Sequence, residues 1–136
     1  MIHQVRVIFG DTDQMGVVYY ANYLRYFESS RSALLRSRGL SARELYDQGV
    51  LFPVAEASCR YRRPARYEDL LDVDVTLSEL GHVRIRFDYE VRRAGEVLAD
   101  GHTVHACMDA GGKLRRIPDH VRAAFAVEVH DAGAGG

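Results

Sequence analysis

The sequence is poor in several residue types, and each shortage excludes a class of protein. It contains no tryptophan, and Lys113 is its only lysine among 18 basic residues. The formal net charge is −1, so the chain has no overall positive field that would gather nucleic acid or an acidic membrane. We therefore expect no nucleic-acid partner, and any basic site must be a local cluster of arginines.

Cysteines and long apolar runs are also scarce. Cys59 and Cys107 stand alone in strand-like contexts, and neither belongs to a CxxC pair or a Cys/His ligand spacing. We expect two buried free thiols and hence a reducing compartment. No apolar run approaches the ~20 residues that span a bilayer, and no basic and apolar leader opens the chain. These absences predict a cytoplasmic protein with no integral membrane segment.

Several familiar catalytic templates are missing too. The sequence has no GxSxG nucleophile elbow, no HExxH metal motif and no GxxxxGK[ST] phosphate loop. His102 and His105 are three residues apart in a predicted strand, so their side chains should point to opposite faces and cannot share a metal. We expect neither a metal nor a cofactor.

The hydrophobic pattern predicts one domain over residues 1–130, followed by a disordered tail over 131–136. Alternation of Val5, Val7 and Phe9 predicts a first strand, which ends at Gly10. From Tyr20 to Arg38 the spacing becomes helical. The predicted apolar stripe of this long helix consists of Tyr20, Leu24, Phe27, Arg31, Leu34 and Leu35.

The rest of the chain is dominated by period-two alternation. A capping box from Ser41 to Glu44 predicts a short helix over 42–48, and Pro118 introduces another short helix near the end of the chain. Between them, the alternation predicts strands over 54–62, 71–77, 83–92 and 97–108, with hairpin turns at 80–82 and 93–96. The simplest arrangement is an α+β meander of antiparallel strands around the long helix.

The junction between the first strand and the long helix carries the chemistry. The segment reads Phe9-Gly10-Asp11-Thr12-Asp13-Gln14-Met15-Gly16-Val17-Val18-Tyr19-Tyr20-Ala21-Asn22-Tyr23, which places two carboxylates beside a helix N-terminus. The first turn of a helix leaves backbone N–H groups unpaired, and these can polarise a carbonyl oxygen. An ionised acid beside such donors is a minimal hydrolytic site.

Two motifs in this chain resemble a known family. They are Gly10-Asp11-Thr12-Asp13-x-x-Gly16-Val17-Val18-Tyr19-Tyr20-x-Asn22-Tyr23 and Tyr61-x-x-Pro64-Ala65-x-x-x-Asp69-x-Leu71. Together they resemble the hotdog-fold thioesterases of the 4-hydroxybenzoyl-CoA thioesterase family, most closely the bacterial acyl-CoA branch associated with the Tol-Pal system. The similarity extends from about Val5 to Phe125.

The resemblance implies a fold, an assembly and an activity. The fold would be a curved antiparallel sheet of five to six strands around one long central helix, paired into a homodimer or homotetramer with active sites at subunit interfaces. The activity would be hydrolysis of an acyl-CoA thioester without a cofactor. By this resemblance Asp13 is the catalytic carboxylate, and backbone N–H groups near Tyr20 bind the thioester oxygen.

The chemistry of the residues is consistent with this role but leaves alternatives. An ionised Asp13 could activate water as a general base or attack the carbonyl directly. Glu28, on the helix, is a rival acid, although its spacing to Arg31 suits an ordinary ion pair. Asp11 is expected to be structural, fixing the loop through backbone N–H groups. A non-catalytic acyl-CoA-binding subunit and an enoyl-CoA hydratase-like enzyme are alternatives, but the second normally pairs its Asp with a nearby His that this segment lacks.

Tyr20 is the main departure from the resembling branch, which commonly has histidine there. A tyrosine can donate a hydrogen bond or line a pocket but cannot share acid–base work near neutral pH. The aromatic-acyl branch can carry tyrosine at this place, so aliphatic and aromatic acyl groups are both open. Core packing is the alternative role for Tyr20.

The expected substrate contacts fall into two groups. The acyl pocket is expected to include Met15, Gly16, Val17 and Leu24 beside Tyr20. Arginines crowd around Tyr61 and Pro64 and suit the phosphates of coenzyme A; they are Arg60, Arg62, Arg63 and Arg66. Arg84, after the Gly81-His82 turn, is a further candidate.

Overall fold

The computed structural model describes residues 1–128, so the tail predicted for 131–136 lies outside the described residues. The strands are β1 (Ile2–Arg6), β2 (Val54–Tyr61), β3 (Leu70–Leu80), β4 (Arg84–Arg93) and β5 (Glu96–Ala106). The helices are α1 (Asn22–Ser37), α2 (Ala42–Asp47) and α3 (Asp119–Ala124), and a single 3₁₀ turn spans Phe9–Asp11. No helix within residues 1–128 is long and apolar enough to cross a membrane.

The five strands form one open antiparallel sheet in the order β1-β3-β4-β5-β2. The predicted meander is therefore correct for β3, β4 and β5 but wrong for β2, which lies at the far edge beside β5. The segment between β1 and β2, which contains α1 and α2, carries the chain from one edge of the sheet to the other.

One face of the sheet forms the core. Alternate residues of β3 and β4 are buried, as the period-two pattern predicted; they are Leu71, Val73, Val75, Leu77, Ile85, Phe87, Tyr89 and Val91. The helix α1 packs against this sheet, and the ring of Phe27 stacks on that of Tyr89 with centroids 4.2 Å apart. A Cβ on Gly101 would lie 2.9 Å from Phe27 and 2.1 Å from the Ser58 carbonyl oxygen. Only a glycine therefore allows this close packing.

The start of α1 differs from the prediction. The helix begins at Asn22 rather than Tyr20, and its buried face consists of Tyr23, Tyr26, Phe27, Ser30, Ala33 and Leu34. Tyr20 is 61% exposed and Leu24 is 40% exposed, so the predicted stripe was wrong at both positions. Tyr20 therefore does not pack in the core of the chain.

The first strand also differs. It ends at Arg6, and Phe9 lies in the 3₁₀ turn with 75% of its surface exposed. Two backbone hydrogen bonds close the turn. Asp11 N–H donates to the Ile8 carbonyl at 3.0 Å, and Thr12 N–H donates to the Phe9 carbonyl at 3.0 Å. These local bonds end the alternation before Phe9.

The other predicted elements are confirmed to within three residues. The Ser41 side chain caps α2 by accepting from Glu44 N–H at 3.4 Å. The β4–β5 hairpin turns through Ala94 (φ 49°) and Gly95 (φ 84°), the two positive values of a type I′ turn. Cys107 is buried as expected, whereas Cys59 is only partly buried because it lies on the edge strand β2. Burial raises the pKa of both thiols.

Candidate active site

Asp13 is held by a tight turn between the 3₁₀ turn and α1. Its N–H donates to the Val17 carbonyl at 2.9 Å, and its carbonyl accepts from Gly16 N–H at 3.0 Å. Gly16 has φ 78°, a left-handed conformation that closes the turn and suits glycine. The carboxylate itself accepts one hydrogen bond, from Met15 N–H at 2.9 Å. The turn therefore fixes the side chain of Asp13 and leaves its second oxygen without a partner in residues 1–128.

Asp11 has a different environment. It is 3% exposed, and its carboxylate accepts from the Tyr26 hydroxyl at 2.9 Å and from Ile8 N–H at 3.2 Å. An ion pair with Arg25 at 3.4 Å completes the set. Burial, and then the hydrogen bond to Asp11, raise the pKa of Tyr26 well above its usual range. Asp11 thus ties the 3₁₀ turn to α1, in the structural role expected for it.

The helix start offers two backbone donors. The N–H groups of residues 22–24 bond the carbonyls of residues 19–21 at 2.9–3.3 Å. Tyr20 and Ala21 precede the helix, and their N–H groups have no acceptor in the described chain. These two donors, rather than those inside the first helical turn, are free to meet a ligand.

Asp13 and Tyr20 line the same open cavity, which has a volume of about 310 Å³. The remaining lining residues are Met15, Val17, Val18, Tyr23, Tyr61, Arg62, Arg63 and Pro64. The structure therefore brings together the two predicted catalytic residues and four of the predicted substrate contacts, Met15, Val17, Arg62 and Arg63.

Tyrosines form one wall of this cavity. The Tyr61 hydroxyl donates to the Tyr20 carbonyl at 2.9 Å and so fixes the helix start to the end of β2. The ring centroids of Tyr20 and Tyr61 are 6.4 Å apart, and those of Tyr23 and Tyr61 are 5.1 Å apart. The neighbouring Tyr20 hydroxyl raises the pKa of Tyr19, and the charge of Asp13 adds to this effect. The contribution of Tyr61 was not predicted, although its spacing to Pro64 was part of the second motif.

Four predicted contacts lie outside the cavity lining. Gly16 forms the turn beside it, and Leu24 lies on the exposed side of α1. Arg66 pairs with Val17 through a backbone bridge while its side chain is exposed. Arg84 opens β4 opposite Ala106, about 23 Å along the strand from Val91, which lies level with Tyr61 of the cavity through Ala99. Within one chain, Arg84 and Asp13 are far apart.

The arginine cluster around Pro64 is exposed, and two of its members have acidic partners. Arg62 pairs with Asp100, its Nε lying 2.7 Å from the carboxylate, and Arg63 pairs with Glu96 at 3.2 Å. The guanidinium groups of Arg60 and Arg66 have no carboxylate within 4.0 Å in residues 1–128, although the backbone N–H of Arg66 donates to the Asp69 carboxylate at 2.8 Å. Because exposed ion pairs contribute little, all four guanidinium groups are available to an anionic ligand.

The predicted pair between Glu28 and Arg31 is not formed. Arg31 instead donates to the Tyr89 hydroxyl at 3.0 Å, and Glu28 lines other cavities than that of Asp13. The two histidines point to opposite faces of β5, as expected. His102 bonds Glu56 on the outer face of the sheet at 2.8 Å, whereas His105 is buried in the core.

Comparison with known proteins identifies the family. The family profile described as the thioesterase-like superfamily matches residues 7–125. The chain belongs to this superfamily. It is 36% identical over 124 residues to the acyl-CoA thioesterase YbgC of Haemophilus influenzae, covering 89% of the chain and 90% of that relative. It is 34% identical over 113 residues to the 1,4-dihydroxy-2-naphthoyl-CoA hydrolase of Synechococcus elongatus, covering 81% and 83%.

Solved structures of thioesterases share this fold. The 1,4-dihydroxy-2-naphthoyl-CoA thioesterase of Synechocystis superposes with a TM-score of 0.86 at 28% identity, covering 92% of this chain and 94% of that one. The thioesterase-like chain thus has the open five-stranded sheet and helices of a hotdog-fold thioesterase.

Proposed function

We propose that this thioesterase-like protein hydrolyses acyl-CoA thioesters, with Asp13 as general base or nucleophile and the N–H groups of Tyr20 and Ala21 as oxyanion donors. The observation that supports this most is the arrangement at one open cavity. A carboxylate with a free oxygen lies there beside a residue whose backbone N–H has no acceptor in residues 1–128.

The reaction needs little more than these groups. The leaving thiolate of a thioester has low basicity, with a thiol pKa of about 8.5, so its departure needs little acid assistance. Water attacks the carbonyl carbon as Asp13 takes its proton, or Asp13 attacks first and the mixed anhydride is then hydrolysed. In both routes negative charge develops on the carbonyl oxygen. Removing one donor to such an oxygen typically costs ~2.7–4 kcal/mol in other enzymes.

The other predicted residues take supporting roles in this proposal. Tyr20, Met15 and Val17 line the acyl group, Gly16 shapes the turn, and Leu24 extends the apolar surface along α1. Tyr20 contributes its ring and hydroxyl rather than acid–base chemistry. The relatives' names include both a general acyl-CoA and an aromatic naphthoyl-CoA substrate, so the substrate panel must contain both kinds.

The exposed arginines are proposed to bind the phosphates of coenzyme A. Arg63 lines the cavity beside Asp13, and Arg66 follows three residues later with no carboxylate within 4.0 Å of its guanidinium group in residues 1–128. Removing either should raise KM for acyl-CoA with a smaller change in kcat, because phosphate contacts act equally in the ground and transition states. A truncated thioester that lacks the nucleotide should be hydrolysed as by wild type. Equal losses on both substrates would reject phosphate binding.

The proposed assembly is a homodimer or homotetramer in which the sheet curves around α1. The edge strand β2 supports it, because seven of its eight residues are exposed and its outer N–H and C=O groups face away from the sheet. In such an assembly Arg84 could reach an active site only from another protomer. Light scattering that gave a single 15.3 kDa chain at micromolar concentration would reject this assembly.

Two finer assignments remain proposals. We place the chain in the 4-hydroxybenzoyl-CoA thioesterase family near the Tol-Pal-associated branch, on the two motifs, and we place the protein in the cytoplasm, where acyl-CoA is found.

The decisive experiment replaces Asp13 with Asn. We expect Asp13→Asn to fold normally and to lose at least about a hundredfold in kcat, the low end of what a positioned base contributes. Release of free thiol is measured on short, long and aromatic acyl-CoAs. Asp47→Asn, at the exposed end of α2, is the matched control and should retain wild-type turnover.

Three outcomes would contradict the proposal. Near wild-type turnover by Asp13→Asn would move the role to Glu28 or Asp11. Binding of acyl-CoA by the wild-type protein without turnover on any substrate would indicate a non-catalytic acyl-CoA-binding subunit. Hydration of an enoyl-CoA without thiol release would indicate a hydratase-like enzyme.

A further inference from the structure

Tyr61 lines the Asp13 cavity but has no role in the reaction described above. It is the last residue of β2, and its hydroxyl donates to the Tyr20 carbonyl at 2.9 Å. A carbonyl oxygen can only accept, so the chemistry of the two groups fixes the direction of this bond. The bond joins residues that are 41 positions apart in the sequence. It ends on the backbone segment that is proposed to bind the thioester oxygen.

Two peptide units carry the proposed oxyanion donors. The unit that carries the Tyr20 N–H is held by the backbone alone, because its carbonyl accepts from Asn22 N–H at 2.9 Å. The unit that carries the Ala21 N–H is held by a longer backbone bond, from Tyr23 N–H at 3.3 Å, and by the Tyr61 hydroxyl. Within residues 1–128, Tyr61 is the one side chain that forms a hydrogen bond with either unit.

A hydrogen bond to the Tyr20 carbonyl also acts on the Ala21 N–H. A trans peptide unit is planar, so its C=O and N–H bonds point in opposite directions. The bond that holds the Tyr20 oxygen therefore also fixes the direction of the Ala21 hydrogen, which belongs to the same unit. Because hydrogen bonds in series polarise one another, this bond also strengthens the N–H as a donor. Both effects reach a bound ligand through the backbone and need no contact with Tyr61.

Tyr61 is itself held in place. The N–H groups of residues 62 and 63 donate to the Leu98 carbonyl at 2.8 and 3.1 Å, which fixes the end of β2 to β5. The ring of Tyr61 packs edge-on against that of Tyr23, with centroids 5.1 Å apart, and Tyr23 is only 2% exposed. The ordinary pKa of tyrosine is about 10. Burial raises the pKa of Tyr61 further, so its hydroxyl keeps the proton well above neutral pH.

We propose that Tyr61 is a positioning residue for hydrolysis, whose hydroxyl orients the peptide unit that carries the Ala21 N–H toward the developing oxyanion. This role rests on the proposed function and adds to it a side chain that prepares one of its donors. The donor matters most when the carbonyl oxygen becomes negative, so loss of the Tyr61 hydroxyl should lower kcat and leave KM nearly unchanged. The arginines that are proposed to bind phosphate should show the opposite pattern.

The kinetic test is Tyr61→Phe, which removes the hydroxyl and keeps the ring against Tyr23. In thiol release from the acyl-CoA panel, kcat should fall about tenfold, less than the ~100-fold or more lost with a direct oxyanion donor. Tyr67→Phe is the matched control. Tyr67 lies between β2 and β3, is 51% exposed, does not line the cavity and has no hydrogen-bond partner for its hydroxyl in residues 1–128. This control should retain wild-type kcat and KM.

A spectroscopic measurement separates positioning from a general effect on the fold. The probes are benzoyl-CoA and octanoyl-CoA with ¹³C at the carbonyl, bound to Asp13→Asn and observed by infrared difference spectroscopy. Donors polarise a carbonyl and lower its stretching frequency, so the bound carbonyl should absorb at lower frequency than in water. Adding Tyr61→Phe to Asp13→Asn should remove at least about a third of this shift, because one of the two donors loses its support. Adding Tyr67→Phe should remove none of it.

The possible results distinguish failure of the positioning role from failure of the proposed function. Wild-type kcat in Tyr61→Phe, a loss that falls on KM, or an unchanged carbonyl shift would each overturn the role and leave the hydrolysis intact. A loss of kcat that only matches a loss of folded protein in urea unfolding would overturn it as well. Absence of thiol release by wild type would instead reject the proposed function. The carbonyl shift would then still decide the role of Tyr61, since it needs only a bound thioester, and failure to bind either probe would reject both.

Discussion

The hydrogen bond between Tyr26 and Asp11 is expected to stabilise both the fold and the loop that carries Asp13. The hydroxyl donates to the carboxylate at 2.9 Å, and Asp11 is 3% exposed, so water cannot replace the donor once it is removed. A hydrogen bond to a charged group contributes ~1.5–3 kcal/mol. Tyr26→Phe should therefore lower the free energy of unfolding by about 2 kcal/mol, close to the middle of that range.

The assay is urea unfolding at a fixed protein concentration, since an assembled protein unfolds in a concentration-dependent way. For a chain of this size the same change lowers Tm by roughly 5–10 °C. Because Asp11 also holds the turn before Asp13, Tyr26→Phe should lower kcat, but by less than Asp13→Asn does. Tyr46→Phe is the matched control, because Tyr46 is exposed on α2 and has no hydrogen-bond partner for its hydroxyl in the described chain.

A double-mutant cycle distinguishes this bond from general loss of packing. In an Asp11→Asn background, Tyr26→Phe should cost at least about 1 kcal/mol less than in wild type, because the charged acceptor is already gone. Additive effects of the two substitutions would refute the reasoning. The reasoning would also be refuted if the free energies of unfolding of Tyr26→Phe and Tyr46→Phe differed by less than about 0.5 kcal/mol, which is the usual effect of a surface substitution.

Three further predictions concern the turn, the packing of α1 and the buried histidine. Gly16→Ala should lower the free energy of unfolding by about 1–2 kcal/mol, because Gly16 has φ 78°, although no atom lies within 4 Å of the added Cβ. Gly10→Ala is the control and should be nearly neutral when the two variants are compared by urea unfolding. Gly101→Ala should cost about 3 kcal/mol or prevent folding, because its Cβ would lie 2.1 Å from the Ser58 carbonyl oxygen, and Gly111→Ala, with its nearest contact at 3.4 Å, is the tolerated control. Burial lowers the pKa of His105 below its ordinary 6.5, so the unfolded chain takes up a proton that the folded chain does not. The free energy of unfolding should therefore fall as the pH drops below about 6.5. This dependence of stability on pH should be weaker in His105→Gln.

Strand positions could be read from the sequence because alternation directly reflects burial on one face of a sheet. Along β4 the alternation from Ile85 to Val91 predicted the buried face correctly. The start of α1 could not be read in this way. Tyr20 and Leu24 are apolar enough to fit the helical stripe, yet both are exposed, and Tyr20 lines the cavity of Asp13. Residues that line a ligand site have the composition of a core, so periodicity assigns them to the core.

Local pairing rules failed at Arg31 for a related reason. The spacing to Glu28 predicted an ion pair on the helix surface, but the Tyr89 hydroxyl, 58 residues away in the sequence, accepts from Arg31 instead. That acceptor exists only because Phe27 stacks on Tyr89 and brings α1 onto the sheet. No window of sequence contains both partners, so the interaction follows from the packing of the helix alone.

The two acids of the first motif show how the structure separates residues that the sequence presents alike. A carboxylate has about four lone-pair sites. Asp11 accepts from a phenol, a backbone N–H and an arginine, and it is buried, so it has little capacity to accept a proton from water. Asp13 accepts only from Met15 N–H, and its other oxygen has no partner in residues 1–128. A base must keep a lone pair for the proton that it takes. By this criterion we propose Asp13 as the acid that acts on a substrate and Asp11 as the acid that holds the preceding turn in place.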